Sequence, residues 1–115
     1  MVSACSSAEE KLVRNGSFGA CKGTTVDKMV TSFFGSPKWE TITAEDGKKY
    51  VNITGQMTFQ DKPVEGAVQF DVDVDKGSFN VRAFEMNGIA QNKLLTIGLL
   101  SKLCESGGGT MDLGL

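Results

Sequence analysis

The sequence predicts an α+β domain, a four-stranded antiparallel meander sheet with N-terminal and C-terminal helices packed on one face. Three observations predict it. Apolar residues alternate with polar ones through the middle of the chain, in runs joined by turn signals such as Asp46-Gly47 and Lys76-Gly77. Helical spacing of apolar residues appears before and after those runs. A length of 115 residues with 40% apolar and 23% charged content fits one globular domain.

Residues 9–15 read as a short helix ending at Gly16, with Leu12 and Val13 as apolar contacts. In the next helix Thr24 or Thr25 is the cap, and Asp27 suits the positive end of the dipole. Val26, Met29, Val30, Phe33 and Phe34 follow helical spacing, and Gly35 and Pro37 stop the element. The sheet follows from register. With Asp61-Lys62 as a two-residue turn, Phe59 faces Val64, Met57 faces Gly66, Gly55 faces Val68, Ile53 faces Phe70 and Val51 faces Val72. With Lys76-Gly77 as the next turn, Val74 faces Phe79, Val72 faces Val81 and Phe70 faces Ala83. One face stays apolar across three strands, and a one-residue slip would reverse it. Asp46-Gly47 closes the first hairpin as a type I′ turn and sets Ile42 opposite Val51. The last element, about residues 91–105, has apolar residues over a broad face, which suggests a helix in a crowded groove. The expected organisation is a tether or processed terminus over 1–8, one domain over 9–105 and a flexible, glycine-rich tail over 106–115.

Three cysteines divide into one plus two. Val2-Ser3-Ala4-Cys5 resembles the lipobox of bacterial lipoproteins, in which the cysteine is lipidated. A signal peptide needs a charged start and an apolar stretch before that box, and only Met1 precedes it here. Either a leader has been removed or the match is chance; the polar residues 6–10 favour removal, because they read as the tether after a processed terminus. Cys21 precedes the second helix and Cys104 ends the last, where two helices on one sheet face bring their ends together. A disulfide there would add roughly 4 to 5 kcal/mol in the chain-entropy model; the alternative is two buried free thiols. The lipobox-like start, with its oxidising compartment, favours the disulfide.

Composition excludes much chemistry. The chain has no histidine, so the commonest neutral-pH base and transition-metal ligand are missing. No carboxylate or cysteine cluster replaces them, and no catalytic residue, metal site or cofactor is expected. A net charge of −2 without a basic patch argues against nucleic acid. No run approaches the roughly 18 apolar residues that span a bilayer. Asp71, Asp73 and Asp75 lack the glycine and glutamate of a calcium loop, and read as the wet side of a strand with Asp71 opposite Arg82. The expected outer face also carries Trp39, Tyr50, Phe84 and Met86, which would form an apolar partner-binding patch if they point outward. The alternative is that Trp39 and Met86 tuck under the helices. Glu85 falls on the core side, as a marginal residue or a buried carboxylate with a local partner. Asn52-Ile53-Thr54 and Asn15-Gly16-Ser17 fit the glycosylation acceptor pattern, which carries no expected role in a bacterial chain.

The strings Pro37-Lys38-Trp39-Glu40, Lys62-Pro63-Val64, Val68-Gln69-Phe70 and Glu85-Met86-Asn87-Gly88-Ile89-Ala90-Gln91-Asn92 resemble a family of small, uncharacterised bacterial extracytoplasmic domains. Its members are lipoproteins or stand at the outer end of membrane-anchored chains, sometimes with an N-terminal zinc ribbon. The resemblance, over about residues 12–105, implies location and modularity but no activity. Helices over a four-stranded meander are also similar to the repeat unit of beta-lactamase inhibitory protein, an analogy of fold alone. The resulting expectation is a non-enzymatic cell-envelope module, periplasmic or at the surface, held to the membrane only through a lipid on Cys5 and presenting its outer sheet face to a protein or cell-wall partner. The alternative is a small-molecule or peptide carrier with a pocket between the C-terminal helix and the sheet, where Gly55, Gly66 and Gly98 leave room.

Overall fold

Local chemistry sets the elements of the structure, a computed structural model that describes residues 7–19 and 21–111. Ser7 caps α1 (Ala8–Asn15), its hydroxyl accepting the Glu10 N–H at 3.0 Å. The two-residue strand β1 (Cys21–Lys22) leads to α2 (Val26–Phe33), capped by Thr25 and burying Val26, Met29 and Val30 as the spacing predicts. Phe34 ends that helix in extended backbone and stays buried. Then come β2 (Gly35–Thr43), β3 (Lys49–Phe59), β4 (Lys62–Asp73), β5 (Ser78–Met86) and β6 (Ile89–Ala90). Asn92 caps α3 (Lys93–Ser106), accepting the Leu95 N–H at 2.8 Å, and β7 (Thr110–Met111) follows.

Strands β2 to β6 form one antiparallel sheet in chain order, and β1 pairs with β7 in a separate ladder. The meander therefore has five strands, one more than the sequence reading. Asn87 (φ 52°) and Gly88 (φ 80°) turn the chain so that Ile89 and Ala90 add a short edge beyond β5. The core lies between the helices and the face bearing Val51, Ile53, Val68 and Phe70, all fully buried with Val13, Val26, Val30 and Leu103.

The observed registers explain which face assignments hold. Between β3 and β4 the turn is Gln60-Asp61, both left-handed (φ 51° and 64°), so Ile53 meets Val68 and not Phe70. That shift is by two, and an even shift leaves every side chain on its own face. Between β4 and β5 the chain turns over residues 74–77, so Phe70 meets Val81, again an even shift. Farther along, Gln69 meets Ala83, which leaves Arg82 as an extra residue in a β-bulge. Beyond the bulge the faces invert. Phe84 (0% exposed) and Met86 (8%) enter the core, while Ala83 and Glu85 share the opposite face; this corrects the expectation for Phe84, Ala83 and Glu85 and, for Met86, replaces the outward placement with the alternative of a buried side chain. The first hairpin also departs by one residue. Ala44 N–H bonds the Lys48 carbonyl across a three-residue loop that ends at Gly47 (φ 87°). Ile42 therefore meets Tyr50, and Trp39 meets Ile53 on the helix side.

Cys21 and Cys104 are joined in a disulfide with their Cα atoms 5.9 Å apart. The glycine run beyond α3 belongs to the fold, which corrects the flexible-tail expectation for residues 107–111. Thr24 Oγ1 donates to the Gly107 carbonyl at 2.7 Å, Gly109 N–H donates to the Cys104 carbonyl at 3.0 Å, and β7 then pairs with β1. A Cβ on Gly109 would lie 2.6 Å from Thr24 Cγ2 and 2.8 Å from the Lys22 carbonyl oxygen, so glycine serves close packing here. Residues 112–115, the rest of the expected tail, lie outside the described residues, as does Cys5.

Candidate functional site

The four expected partner-binding residues do not come together. Phe84 and Met86 are core. Trp39 is half-buried on the helix side, with the Arg14 guanidinium carbon 4.1 Å from its ring centroid. Arg14 also bonds Glu10 at 2.7 Å and Asp27 at 2.6 Å, so the cluster ties α1 to α2 and β2. Tyr50 alone keeps its expected face, where Arg82 lies 4.9 Å from its ring centroid and donates to Gln69 Oε1 at 2.7 Å.

The outer face of the sheet is polar, and register gives its centre a defined layout. One row across β3, β4 and β5 reads Asn52, Gln69, Ala83, and the next reads Thr54, Ala67, Glu85. Alanines at two of six positions leave a cleft of about 160 Å³. Asn52 Oδ1 is buried at this face and has no hydrogen-bond partner. At the turn end of the sheet a wider groove of about 720 Å³ is lined by residues including Lys49, Tyr50, Asp71, Asp73 and Arg82, with charges of both signs. Asp71 faces Asn80 there and not Arg82. Asp73 accepts the Lys76 N–H at 3.2 Å, a turn-stabilising role. Among the described residues, no three His, Cys, Asp or Glu side chains are grouped as a metal would require.

A third cavity, about 610 Å³, lies between α1 and the β4–β5 turn, with Leu12 and Phe79 in its wall. None of the three is walled by α3. The room expected at Gly55 and Gly66 is occupied: a Cβ at Gly55 would lie 2.6 Å from Phe34 Cβ, and one at Gly66 would lie 2.5 Å from Met57 Sδ. A Cβ on Gly98 would meet nothing within 4 Å, which makes it surface and not the wall of a pocket.

Helix α3 is likewise not in a crowded groove. It buries Leu99, Leu103 and Cys104, but leaves Leu94 81% exposed and Ile97 partly exposed. Ile89 on β6, which leads directly into α3, is 68% exposed. Of the four exposed large apolar residues among those described, three thus lie between residues 89 and 97. The available signal was the breadth of the apolar face, since one stripe of a helix cannot bury residues pointing all round. Asn52 was legible only as a solvent-facing strand residue, because the depth of its cleft depends on the bulge that turns Ala83 and Glu85 outward. No helix among the described residues is long and apolar enough to cross a membrane. No family model, curated protein or solved structure matches the chain.

Proposed function

We propose that this domain is a non-enzymatic interaction module of the bacterial cell envelope, tethered through Cys5, which docks a protein partner on the margin formed by β6 and the first two turns of α3. The observation that carries this reading is the exposure of Ile89, Leu94 and Ile97 within nine residues. Water-exposed apolar side chains grouped in this way favour association. Lys93 is exposed beside Leu94, so the partner that fits presents apolar side chains next to a carboxylate. The disulfide supports an oxidising compartment, and the lipobox-like start supports the tether.

The test is recovery of partners from native envelopes by the lipidated protein, comparing the natural sequence with L94E and I97E. Both positions are on the surface, so the variants should unfold at the same temperature as the parent while losing the partner. Recovery of every partner by the variants would end the reading. Loss of recovery with a lowered melting temperature would assign Leu94 and Ile97 to stability instead.

A further inference from the structure

We propose that the partner of the β6–α3 margin adds an extended segment to the open edge of β5, an inference that rests on the docking reading above and names how that partner is held. Strand β5 has β4 along one side, but along the other β6 pairs only with Glu85 and Met86. Register tells which backbone groups are left over. Asn87 N–H donates to the Glu65 carbonyl at 2.8 Å, so Glu65 and every second residue after it on β4 bond toward β5, where they reach Glu85, Ala83, Asn80 and Ser78. Phe79 and Val81 therefore turn their N–H and C=O groups outward, as does Phe84, whose carbonyl accepts the Gln91 N–H at 2.9 Å. Among the described residues, nothing takes the outward groups of Phe79 and Val81.

The other edge of the sheet, β2, is guarded. Pro37, Lys38 and Glu40 stand along it, the last two exposed, and such residues deter a further strand. From Ser78 to Val81, β5 carries no charge and no proline. Its edge also continues into the exposed apolar cluster, because Gln91 is bonded to Phe84 and α3, with Leu94 and Ile97, starts soon after. Geometry then sets the chemistry of the segment. Running antiparallel to β5, as β6 does, it places two residues opposite Val81 and Phe79 on the helix side, where both of those side chains pack against the core. Those two are apolar. The residue between them faces the outer side, opposite the exposed Asn80, and is polar. One place nearer the segment's N-terminus, a carboxylate stands beside Arg82, which is exposed on the outer face where it bonds Gln69.

The experiment is a titration of the full chain with the peptide acetyl-Asp-Val-Thr-Val-Thr-amide, followed by amide NMR shifts. Saturable shifts centred on Phe79 and Val81 are expected. N-methylation of both valines removes the donors that face β5 and should weaken binding about tenfold or more, whereas N-methylation of the threonine between them, whose N–H points away, should change it little. In the protein, Val81→Pro removes an outward N–H that the β4 ladder does not use, so the same loss should come with an unchanged melting temperature. Equal binding of the two methylated peptides, no saturation up to about 10 mM, or shifts centred on Trp39, Thr41 and Thr43 would overturn the proposal. Envelope partners separate it from the docking reading. If Val81→Pro recovers every partner that L94E and I97E lose, the added strand falls and the margin stands; if Val81→Pro loses partners that L94E and I97E keep, the margin falls and the edge stands.

Discussion

Phe34 is held by two glycines on the sheet, and they are not equivalent. A methyl group at Gly55 would meet Phe34 Cβ at 2.6 Å and the Gly35 carbonyl oxygen at 3.1 Å, atoms that cannot move without shifting backbone. At Gly66 the nearest atom, at 2.5 Å, is the thioether sulfur of Met57, which can rotate away. Gly55→Ala should therefore cost about 2 to 3 kcal/mol and Gly66→Ala about 1 to 2 kcal/mol, read from urea midpoints. Equal losses would show that the ring, and not the backbone, limits both sites. Arg14 allows a second test. Its removal in Arg14→Ala gives up two ion pairs and the stacking on Trp39, for an expected loss of about 1 to 2 kcal/mol. Arg14→Lys should recover less than half of that, because an ammonium cannot lie flat on the indole while bonding Glu10 and Asp27 through separate nitrogens.

At the scale of elements, parity decides what a sequence can tell. The faces of β3 and β4 were legible because alternation runs through both strands, and the two turn errors beside them were even. Ile53, Phe70 and Val51 consequently lie in the core as read. Trp39, Phe84 and Met86 were misplaced because a three-residue loop and a bulge each add one residue, and no side-chain pattern announces a single inserted residue. Arg82 carries that second inversion. Deleting it would restore continuous alternation from Phe79 onward with Phe84, a fully buried ring, still facing the core. The deletion variant should therefore keep a native-like near-UV circular dichroism spectrum at about 25 °C, whereas inserting one further residue after Arg82 would turn the ring outward at a cost of about 3 to 5 kcal/mol and leave the chain largely unfolded. A molten deletion variant would mean that the fold needs the local twist of the bulge and not only its residue count. The cap of α2 and the disulfide partners were legible because they depend on local chemistry and on element ends. The order of residues 107–111 was not, because glycine reads equally as freedom and as close approach.

For the molecule as a whole, the sheet and α3 are held by different means. The five strands join neighbour to neighbour through short turns, whereas α3 reaches the fold through α2, β5, the β1–β7 ladder and the Cys21–Cys104 bond. That bond links residues 83 apart in sequence, and loop entropy assigns it about 4.5 kcal/mol. Domains of this size have about 5 to 15 kcal/mol in total, so the reduced protein should be only marginally stable. The loss should also be uneven. A Cys21→Ala/Cys104→Ala variant should lose hydrogen-exchange protection in α3 by more than in β3 and β4, because local opening of the helix no longer strains a covalent tie. Uniform loss across helix and sheet would show that they open as one unit. The unequal result would have a consequence for binding. Ile97 and Leu94 are positioned by the first half of α3, so a reducing environment would loosen the docking margin before the sheet, and partner affinity should fall on reduction while the registers of β3 and β4 stay protected.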